Sequence, residues 1–292
     1  MSALRFAGTG RGRVGLVILG FVLAVALLGP FFAPHDPAAL VGAPGSSPSG
    51  ASPLGTDGLG RDVLSRVLWG GRSVLWLSLS ATALAFVVGT LIGAVAGYSR
   101  SLLDPLLMRL VDVVLSFPPI LFILIIATGV GESELILVIE VAIVLAPGLA
   151  RIVYSATREI SVRGYTEAAV ARGERTSAIL AREILPNILG PLIANLGLTV
   201  TFSVLLIAAV NFLGVGLQPP AANWALMISE NRDILSINAW ATVVPAGLIG
   251  LLTIGVNLVG DAISHTLGVA GRQAPTLTPG AAELTPAAEL VR

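Results

Sequence analysis

Long apolar runs alternate with short polar or Pro- and Gly-rich stretches along the chain. Six of these runs approach or exceed the roughly 20 apolar residues that a helix needs to cross a bilayer. They cover residues 14–33, 74–97, 110–129, 135–150, 188–210 and 239–260. No clear cleavage site follows the first run, so we expect it to be a retained helix. The pattern predicts an all-α integral membrane protein built as a bundle of six transmembrane helices.

The composition agrees with this class and excludes several others. The 292 residues are 55% hydrophobic and 12% charged, whereas about 25% of residues are charged in a typical soluble domain. The net charge is zero, so the strongly basic surface that nucleic acid requires is missing and we expect no nucleic-acid partner. The chain has no cysteine and only two histidines, His35 and His265. We therefore expect no metal site and no cofactor held by this chain.

The distribution of arginine predicts the orientation in the membrane. If the N-terminus is cytoplasmic, only four of the 17 basic residues fall in external segments, namely Arg61, Arg66, Arg72 and Arg232. Basic residues concentrate on the cytoplasmic side, so both termini are predicted to be cytoplasmic. The predicted organisation is a cytoplasmic N-terminus (1–13), a first transmembrane helix (14–33), an external loop (34–73), a core with five more transmembrane helices (74–262) and a disordered cytoplasmic tail (263–292).

One predicted cytoplasmic segment, residues 151–187, departs from the apolar background. Its later part, YTEAAVARGERTSAILAREILPN, contains three arginines and three glutamates. Gly173 is placed to end a short helix over 165–172, because glycine readily adopts the left-handed conformation. Ser177 is placed to cap a second helix. The segment therefore predicts a helical hairpin, with Pro186 in the first turn of the next helix.

This hairpin has two candidate uses. The apolar face of its second helix consists of Leu180, Ile184 and Ile188. Such a hairpin could lie on the lipid surface or dock into a groove of another protein. An anionic cytoplasmic leaflet would repel the three glutamates, and the small residues Ala168 and Ala169 permit close approach of a protein. The pattern favours docking and leaves the lipid surface as the alternative.

The spacing in this segment resembles the EAA motif of bacterial ABC-importer permeases. That motif reads Glu-Ala-Ala, three residues, Gly, nine residues and then Ile-x-Leu-Pro. The chain matches it at Glu167, Ala168, Ala169, Gly173, Leu185 and Pro186. It departs from the motif at Glu183, which stands where the motif has Ile.

Further blocks resemble dipeptide, oligopeptide and nickel permeases. They are PLGTDGLGRDVLSRVLWGGRSVLWLSL, GYSRSLLDPLLMRLVDVVLSFPPIL, LPNILGPLI, FLGVGLQPP and NLVGD, and they follow one another in family order. After NLVGD the chain departs from the family pattern, because AISH replaces the usual Leu-Arg-Asp and no Asp-Pro-Arg follows. The chain is most similar to the second, C-type membrane subunit of this class. The resemblance implies a six-helix bundle of the type I importer kind in the bacterial inner membrane.

The resemblance also implies partners. Similar permeases assemble with a second homologous permease subunit, two ABC ATPase subunits and an extracytoplasmic substrate-binding protein. The residues that match the EAA motif are the predicted ATPase-coupling residues: Glu167, Ala168, Ala169, Gly173, Leu185 and Pro186. ATP and Mg would be bound by the ATPase subunits, because this chain has no lysine and so no phosphate-binding P-loop. The chain is predicted to be a non-catalytic transport subunit for peptides, with nickel or glutathione as alternative cargo.

Two functions of other classes are weighed against this one. An ion-coupled secondary transporter needs acidic side chains within the membrane, and Glu140 is the best candidate. An intramembrane hydrolase needs a nucleophile and a base inside the spans, which His35 and His265 cannot supply because they lie outside the spans or at their edge.

Some ionisable residues outside the hairpin have candidate roles. Glu140 is predicted to line the translocation pathway, to meet a charge on the other permease or to sit in a water-filled crevice. Asp112 is predicted to pair with Arg109, its neighbour on the same helix face. Asp57, Arg61, Asp62 and Arg66 are predicted to form a small charged motif packed on the external side. Candidate contacts for the substrate-binding protein are Trp224, Asn231 and Arg232.

Overall fold

The computed structural model describes residues 10–99, 101–131 and 133–266. The regular secondary structure of this part of the chain is helical, and its strand-like pairing is confined to isolated backbone bridges. The helices are α1 (Gly10–Leu28), α2 (Val63–Tyr98), α3 (Leu103–Leu115), α4 (Pro119–Val130), α5 (Glu134–Ser161), α6 (Gly164–Ala171), α7 (Thr176–Ile179), α8 (Leu185–Phe212), α9 (Trp224–Glu230) and α10 (Trp240–Thr266). Five segments are long and apolar enough to cross a membrane, and the bent pair α3–α4 makes a sixth if it counts as one span. Residues 263–266 of the predicted disordered tail belong to α10, and the rest of that tail lies outside the described residues.

Helix α2 begins eleven residues earlier than the predicted span at 74–97. The carboxylate of Asp62 accepts a hydrogen bond from the backbone N–H of Ser65 at 3.0 Å, so it caps the first turn. The predicted external loop at 34–73 is therefore wrong at its later end. Hydropathy missed this extension because its charged residues, such as Arg66, are paired and buried rather than solvated.

The predicted third span, 110–129, is not one straight helix. Helices α3 and α4 meet at an angle of 90° across the break at residues 116–118. Pro118 is extended and Pro119 occupies the first turn of α4, and a residue that precedes a proline is disfavoured in the helical conformation. The sequence therefore breaks the span into two helices at this point.

Helices α2 and α5 form the closest helix pair in the bundle. Gly89, Gly93 and Gly97 lie four residues apart along one face of α2. A Cβ atom added at Gly93 would lie 2.4 Å from the carbonyl oxygen of Ala150, and one added at Gly89 would lie 2.7 Å from that of Ala146. Glycine lets the two backbones approach to a distance that a side chain would prevent. The two helices run in the same direction and pack as a unit.

The remaining long helices complete the bundle around this pair. Helix α1 packs on α10, where Gly15 faces Leu258 and Gly255 faces Leu19. Helix α8 lies against α2, α5 and α10. On the side of the bundle opposite the hairpin, the chain between α1 and α2 folds over α9 and is held by backbone bridges such as Thr56 to Asp62.

Candidate functional site

The hairpin predicted from residues 165–187 is present. Helix α6 ends at Ala171, and Gly173 adopts a φ of +76° at the turn that follows. This left-handed backbone favours glycine, so the prediction that Gly173 ends the helix is confirmed. Helix α7 continues through a π-helical turn at Leu180–Ile184 into α8, with Pro186 in the first turn of α8.

The predicted cap at Ser177 is wrong. Helix α7 starts at Thr176 after Arg175, and no side chain caps its N-terminus. Ser177 lies inside the helix and is exposed. Capping needs an extended backbone at the capping residue, and Arg175 holds that conformation here.

The hairpin is packed firmly onto the end of α5. The hydroxyl of Thr166 donates a 3.0 Å hydrogen bond to the carbonyl oxygen of Ile160, and Thr166 is completely buried. A buried apolar cluster joins the two parts, consisting of Val153, Ile160, Ala169, Ile179, Ile184, Ile188 and Leu192. The predicted apolar face of the second hairpin helix therefore faces the bundle. Displacement of the hairpin would displace the end of α5 with it.

The other side of the hairpin is open. Glu167, Ala168, Leu185 and Pro186 are exposed. Ala169 is completely buried in the apolar cluster, which corrects the prediction that both alanines present a contact surface. Ala168 is therefore open to a partner, whereas Ala169 packs against other side chains inside the chain.

A cavity of about 640 Å³ lies between the hairpin and the end of α2. Glu167, Val170 and Thr176 line it from the hairpin, and Tyr98 and Ser99 line it from α2. The three exposed arginines of the hairpin, Arg172, Arg175 and Arg182, lie outside this lining. The hairpin therefore combines an acidic recess at Glu167 with a mixed-charge rim.

The opposite side of the bundle holds a buried ion network. Arg61 Nε lies 2.6 Å from Asp57 Oδ2, and both Arg61 and Arg66 donate to Glu230 Oε2, at 3.0 and 2.6 Å. Arg66 Nη1 lies 3.4 Å from Asp57 Oδ2. Asp57, Arg61, Asp62 and Arg66 are all buried, so the predicted charged motif is confirmed. The sequence did not reveal Glu230, which pairs across more than 160 positions in the chain.

Two of the three candidate contacts for the substrate-binding protein are buried. Trp224 is completely buried, and its indole N–H donates a 2.7 Å hydrogen bond to the carbonyl oxygen of Val67. Asn231 is also completely buried and accepts a 2.9 Å hydrogen bond from the backbone N–H of Gly58. Both residues hold the fold together, so their predicted contact role is wrong in this conformation. Arg232 is exposed and stays a candidate.

Glu140 is buried in α5, with 2% of its surface exposed. Its Oε1 atom has no hydrogen-bond partner within the described part of the chain. The side chain therefore does not reach a partner subunit in this conformation. A pathway role stays a prediction that would require α5 to change its surroundings.

Asp112 does not pair with Arg109 as predicted. It forms an ion pair with Arg151, which α5 contributes from 39 positions further along the chain. Helix α3 packs against α5, and sequence spacing alone does not show this contact between two helices. Among the described residues, no group of three or more His, Asp and Glu side chains is arranged to hold a metal ion.

Comparison with known families and proteins gives consistent matches. Residues 89–268 match the model of the family described as binding-protein-dependent transport system inner membrane component. Residues 5–45 match the N-terminal transmembrane domain of oligopeptide transport permease C.

Similar proteins carry related names. The chain is 34% identical over 257 residues to a putative peptide transport system permease protein of Brucella suis, covering 87% of this chain and 86% of that protein. It is 34% identical over 260 residues to the di/tripeptide transport system permease protein DppC of Pseudomonas aeruginosa, with the same coverage of each chain. An inward-facing structure of the methionine ABC transporter MetNI matches with a TM-score of 0.57 and 21% identity, covering 70% of this chain and 96% of the other. This last match concerns the fold alone.

Proposed function

Because the chain belongs to the family of binding-protein-dependent transport system inner membrane components, we propose that it is a peptide-carrying permease subunit of an ATP-driven importer and that its hairpin docks on a cytoplasmic ATPase. The chain is a multi-pass permease component of the inner membrane. To this membership of the family the proposal adds ATP as the energy source, the hairpin as the docking element and peptides as the cargo.

The hairpin is the observation that carries the proposal. It projects an open side that contains Glu167 and Ala168, while its apolar side is fixed to the end of α5. A hairpin that lay on lipid would turn its apolar side to the bilayer, but here Ile179, Ile184 and Ile188 are buried inside the chain. The outward side presents charged and small residues together with the exposed Tyr165, Val170 and Leu185, a mixed surface that suits a protein groove.

The acidic recess supports a particular contact. Glu167 lines the cavity of about 640 Å³ beside the end of α2, and the C-terminal end of a helix carries a partial negative charge. A basic side chain of an ATPase would be accommodated there with its charge balanced by Glu167. The glycine at 173 and the exposed pair Leu185 and Pro186 would complete the contact surface.

Energy coupling follows from the way the hairpin is attached. ATP binding and hydrolysis by two partner ATPases would move the hairpin, and Thr166 and the apolar cluster would pass that movement to α5. Such a shift requires that the nucleotide state favours one conformation of the assembly over the other. This chain would contribute no catalytic group, and ATP and Mg would be bound by the ATPases. A second homologous permease would complete the pathway, and an extracytoplasmic substrate-binding protein would deliver the cargo.

Peptides are the proposed cargo because the similar proteins named above are peptide permeases. Nickel and glutathione are alternatives within the same importer class. An ion-coupled secondary transporter, with Glu140 as its best candidate acid, is a weaker alternative because the chain belongs to the binding-protein-dependent family.

The test is uptake of radiolabelled di- and tripeptides by proteoliposomes that contain both permeases, with the binding protein supplied on the external side. Uptake should require both the ATPases and internal ATP, and a proton or sodium gradient should not replace them. Gradient-driven uptake without ATPases would refute the importer proposal. ATP-dependent uptake of nickel or glutathione but not of peptides would refute only the cargo.

A further inference from the structure

A ladder of charged side chains joins α3 to the hairpin end of α5. Asp104 and Asp112 lie about two turns apart on α3, and Arg158 and Arg151 lie about two turns apart on α5. Arg151 pairs with Asp112, while Arg158 Nη1 lies 3.7 Å from Asp104 Oδ2. The hydroxyl of Tyr154 donates a 3.2 Å hydrogen bond to Asp104 Oδ2. We call these five residues the charge ladder; their order shows that α3 and α5 are antiparallel.

The charge ladder is a weak attachment compared with the other helix contacts in the bundle. The side chains of Arg151 and Arg158 are 57% and 52% exposed, and such solvent-exposed ion pairs are readily broken. Val111 is the one buried residue of α3. A cavity of about 440 Å³ lies beside the ladder, with Met108 and Ser155 in its lining. Helix α3 could therefore separate from α5 without unpacking an apolar core.

Both helices joined by the ladder contact α2, but only α5 packs into the apolar cluster of the hairpin. Helix α5 is fixed to the hairpin through Ile160 and to α2 through the glycine-lined contact at Gly93. Helix α3 lies between the loop after α2 and the 90° break before α4. Movement of the hairpin therefore moves the arginine side of the ladder first. The contact with α3 must then either transmit that movement or open.

We propose that the charge ladder is a reversible latch between α3 and α5, and that transport requires it to open and close. Asp104, Asp112, Arg151 and Arg158 are then positioning residues, because they act through the helices and not on the cargo. Arg151 and Arg158 belong to the predicted cytoplasmic segment 151–187, so opening the latch would enlarge the cavity beside the ladder and admit water to it. The inference rests on the proposed function, since hairpin movement by an ATPase is what drives the latch.

A reversible cross-link tests the latch in the assembled transporter. The chain has no cysteine, so the double variant Met108→Cys with Ser155→Cys gives the permease a single pair of thiols, one on each helix, beside the cavity that both residues line. This variant leaves all the residues of the charge ladder in place. A short bifunctional methanethiosulfonate reagent joins them. We expect cross-linking to lower ATP-dependent uptake by about tenfold or more, and a reductant to restore it in the same sample. The single variants Met108→Cys and Ser155→Cys, treated alike, control for reaction at one thiol.

Exchanging the charges of the Asp104–Arg158 pair provides a second test of the latch. Asp104→Arg and Arg158→Asp should each reduce uptake, and the two changes together should recover much of it. The latch proposal is overturned if the cross-linked protein transports as fast as the untreated one. It is also overturned if uptake by the double variant is no higher than uptake by the two single variants. Loss of ATP-dependent uptake by the unmodified chain would instead refute the proposed function, so the two failures are distinguishable.

Discussion

Arg66 donates a 2.6 Å hydrogen bond to Glu230, which stands 164 positions later in the chain. The contact joins the start of α2 to the end of α9, and the same guanidinium group lies 3.4 Å from Asp57 Oδ2. Arg66 is completely buried. Arg66 and Arg61 therefore share the same two carboxylates, Asp57 and Glu230, on the side of the bundle opposite the hairpin.

Replacing Arg66 by alanine should destabilise this side of the protein strongly. Removing one member of a buried ion pair typically costs about 3–5 kcal/mol, because the remaining charge is left uncompensated. Arg66→Lys should recover only part of the loss, since one ammonium group cannot reproduce the planar fork of a guanidinium. The measurement is thermal unfolding of the purified protein in detergent. Arg232→Ala, at an exposed arginine, is the control, and equal melting of Arg66→Ala and Arg232→Ala would contradict the role given to the network.

The contact between α2 and α5 predicts a second stability effect. A methyl group at position 93 would lie 2.4 Å from the carbonyl oxygen of Ala150, so Gly93→Ala should force the helices apart and cost about 1–3 kcal/mol. Gly148→Ala is a matched control on α5, because an added Cβ there meets no atom within 4 Å. In the same detergent, Gly93→Ala should lower the melting temperature and Gly148→Ala should not. If both variants melt like the unmodified chain, the backbones are not in close contact.

The neighbouring alanines of the hairpin allow packing to be separated from docking. Ala169→Leu should lower thermal stability, because the larger side chain overfills the buried cluster with Ile179 and Ile184. Ala168→Leu should leave stability unchanged and reduce the amount of ATPase that co-purifies with the permease, because Ala168 is exposed. Retention of the ATPase by Ala168→Leu at the normal level would count against docking on this side.

The hairpin turn predicts a loss of transport without loss of the protein. Gly173 has a φ of +76°, and a Cβ added there meets no atom of the chain within 4 Å. The Gly173→Asp protein should therefore still insert into the membrane. A side chain at a left-handed position adds strain of about 1–2 kcal/mol, and the aspartate adds a charge. Both effects disturb the turn that is proposed to dock on the ATPase. We expect uptake to be abolished in a complemented null strain, with permease levels measured by immunoblot. The control is Gly164→Asp, which places the same side chain at the start of α6, where acidic residues are favourable; it should retain uptake. Near-normal uptake by Gly173→Asp would refute the coupling role of the turn.

Much of the fold could be predicted because hydropathy reports membrane burial directly. The first, fifth and sixth apolar runs correspond closely to α1, α8 and α10. The fourth run ended too early at 150, because Arg151 and Arg158 lower its hydropathy although α5 continues to Ser161. A hydropathy profile treats each charge as a penalty and cannot register the Asp partners that α3 supplies.

The sequence predicts the parts of the site that local backbone chemistry determines. It does not predict the parts that depend on contacts between residues far apart in the chain. Gly173 was assigned correctly, because a helix end with a left-handed residue is encoded locally. Ala169, Trp224 and Asn231 were assigned to contact surfaces but are buried. Their burial depends on which helix packs over them, and one sequence does not contain that information. Nothing in the sequence marks Glu230 as the partner of Arg61 and Arg66, because that pairing depends on how distant segments pack.

Docking of the hairpin on an ATPase is tested most directly by cross-linking from position 168. Because the chain has no cysteine, Ala168→Cys introduces the permease's only thiol, which can be labelled with a short photo-activated cross-linker in membranes that contain the assembled transporter. Phe32→Cys, an exposed position on the opposite side of the bundle, is the matched control. We predict a covalent product between the permease and an ATPase subunit from position 168 and none from position 32. Cross-linking of position 168 to lipid alone, in a complex that retains its ATPases, would contradict docking and favour a hairpin that lies on the membrane surface.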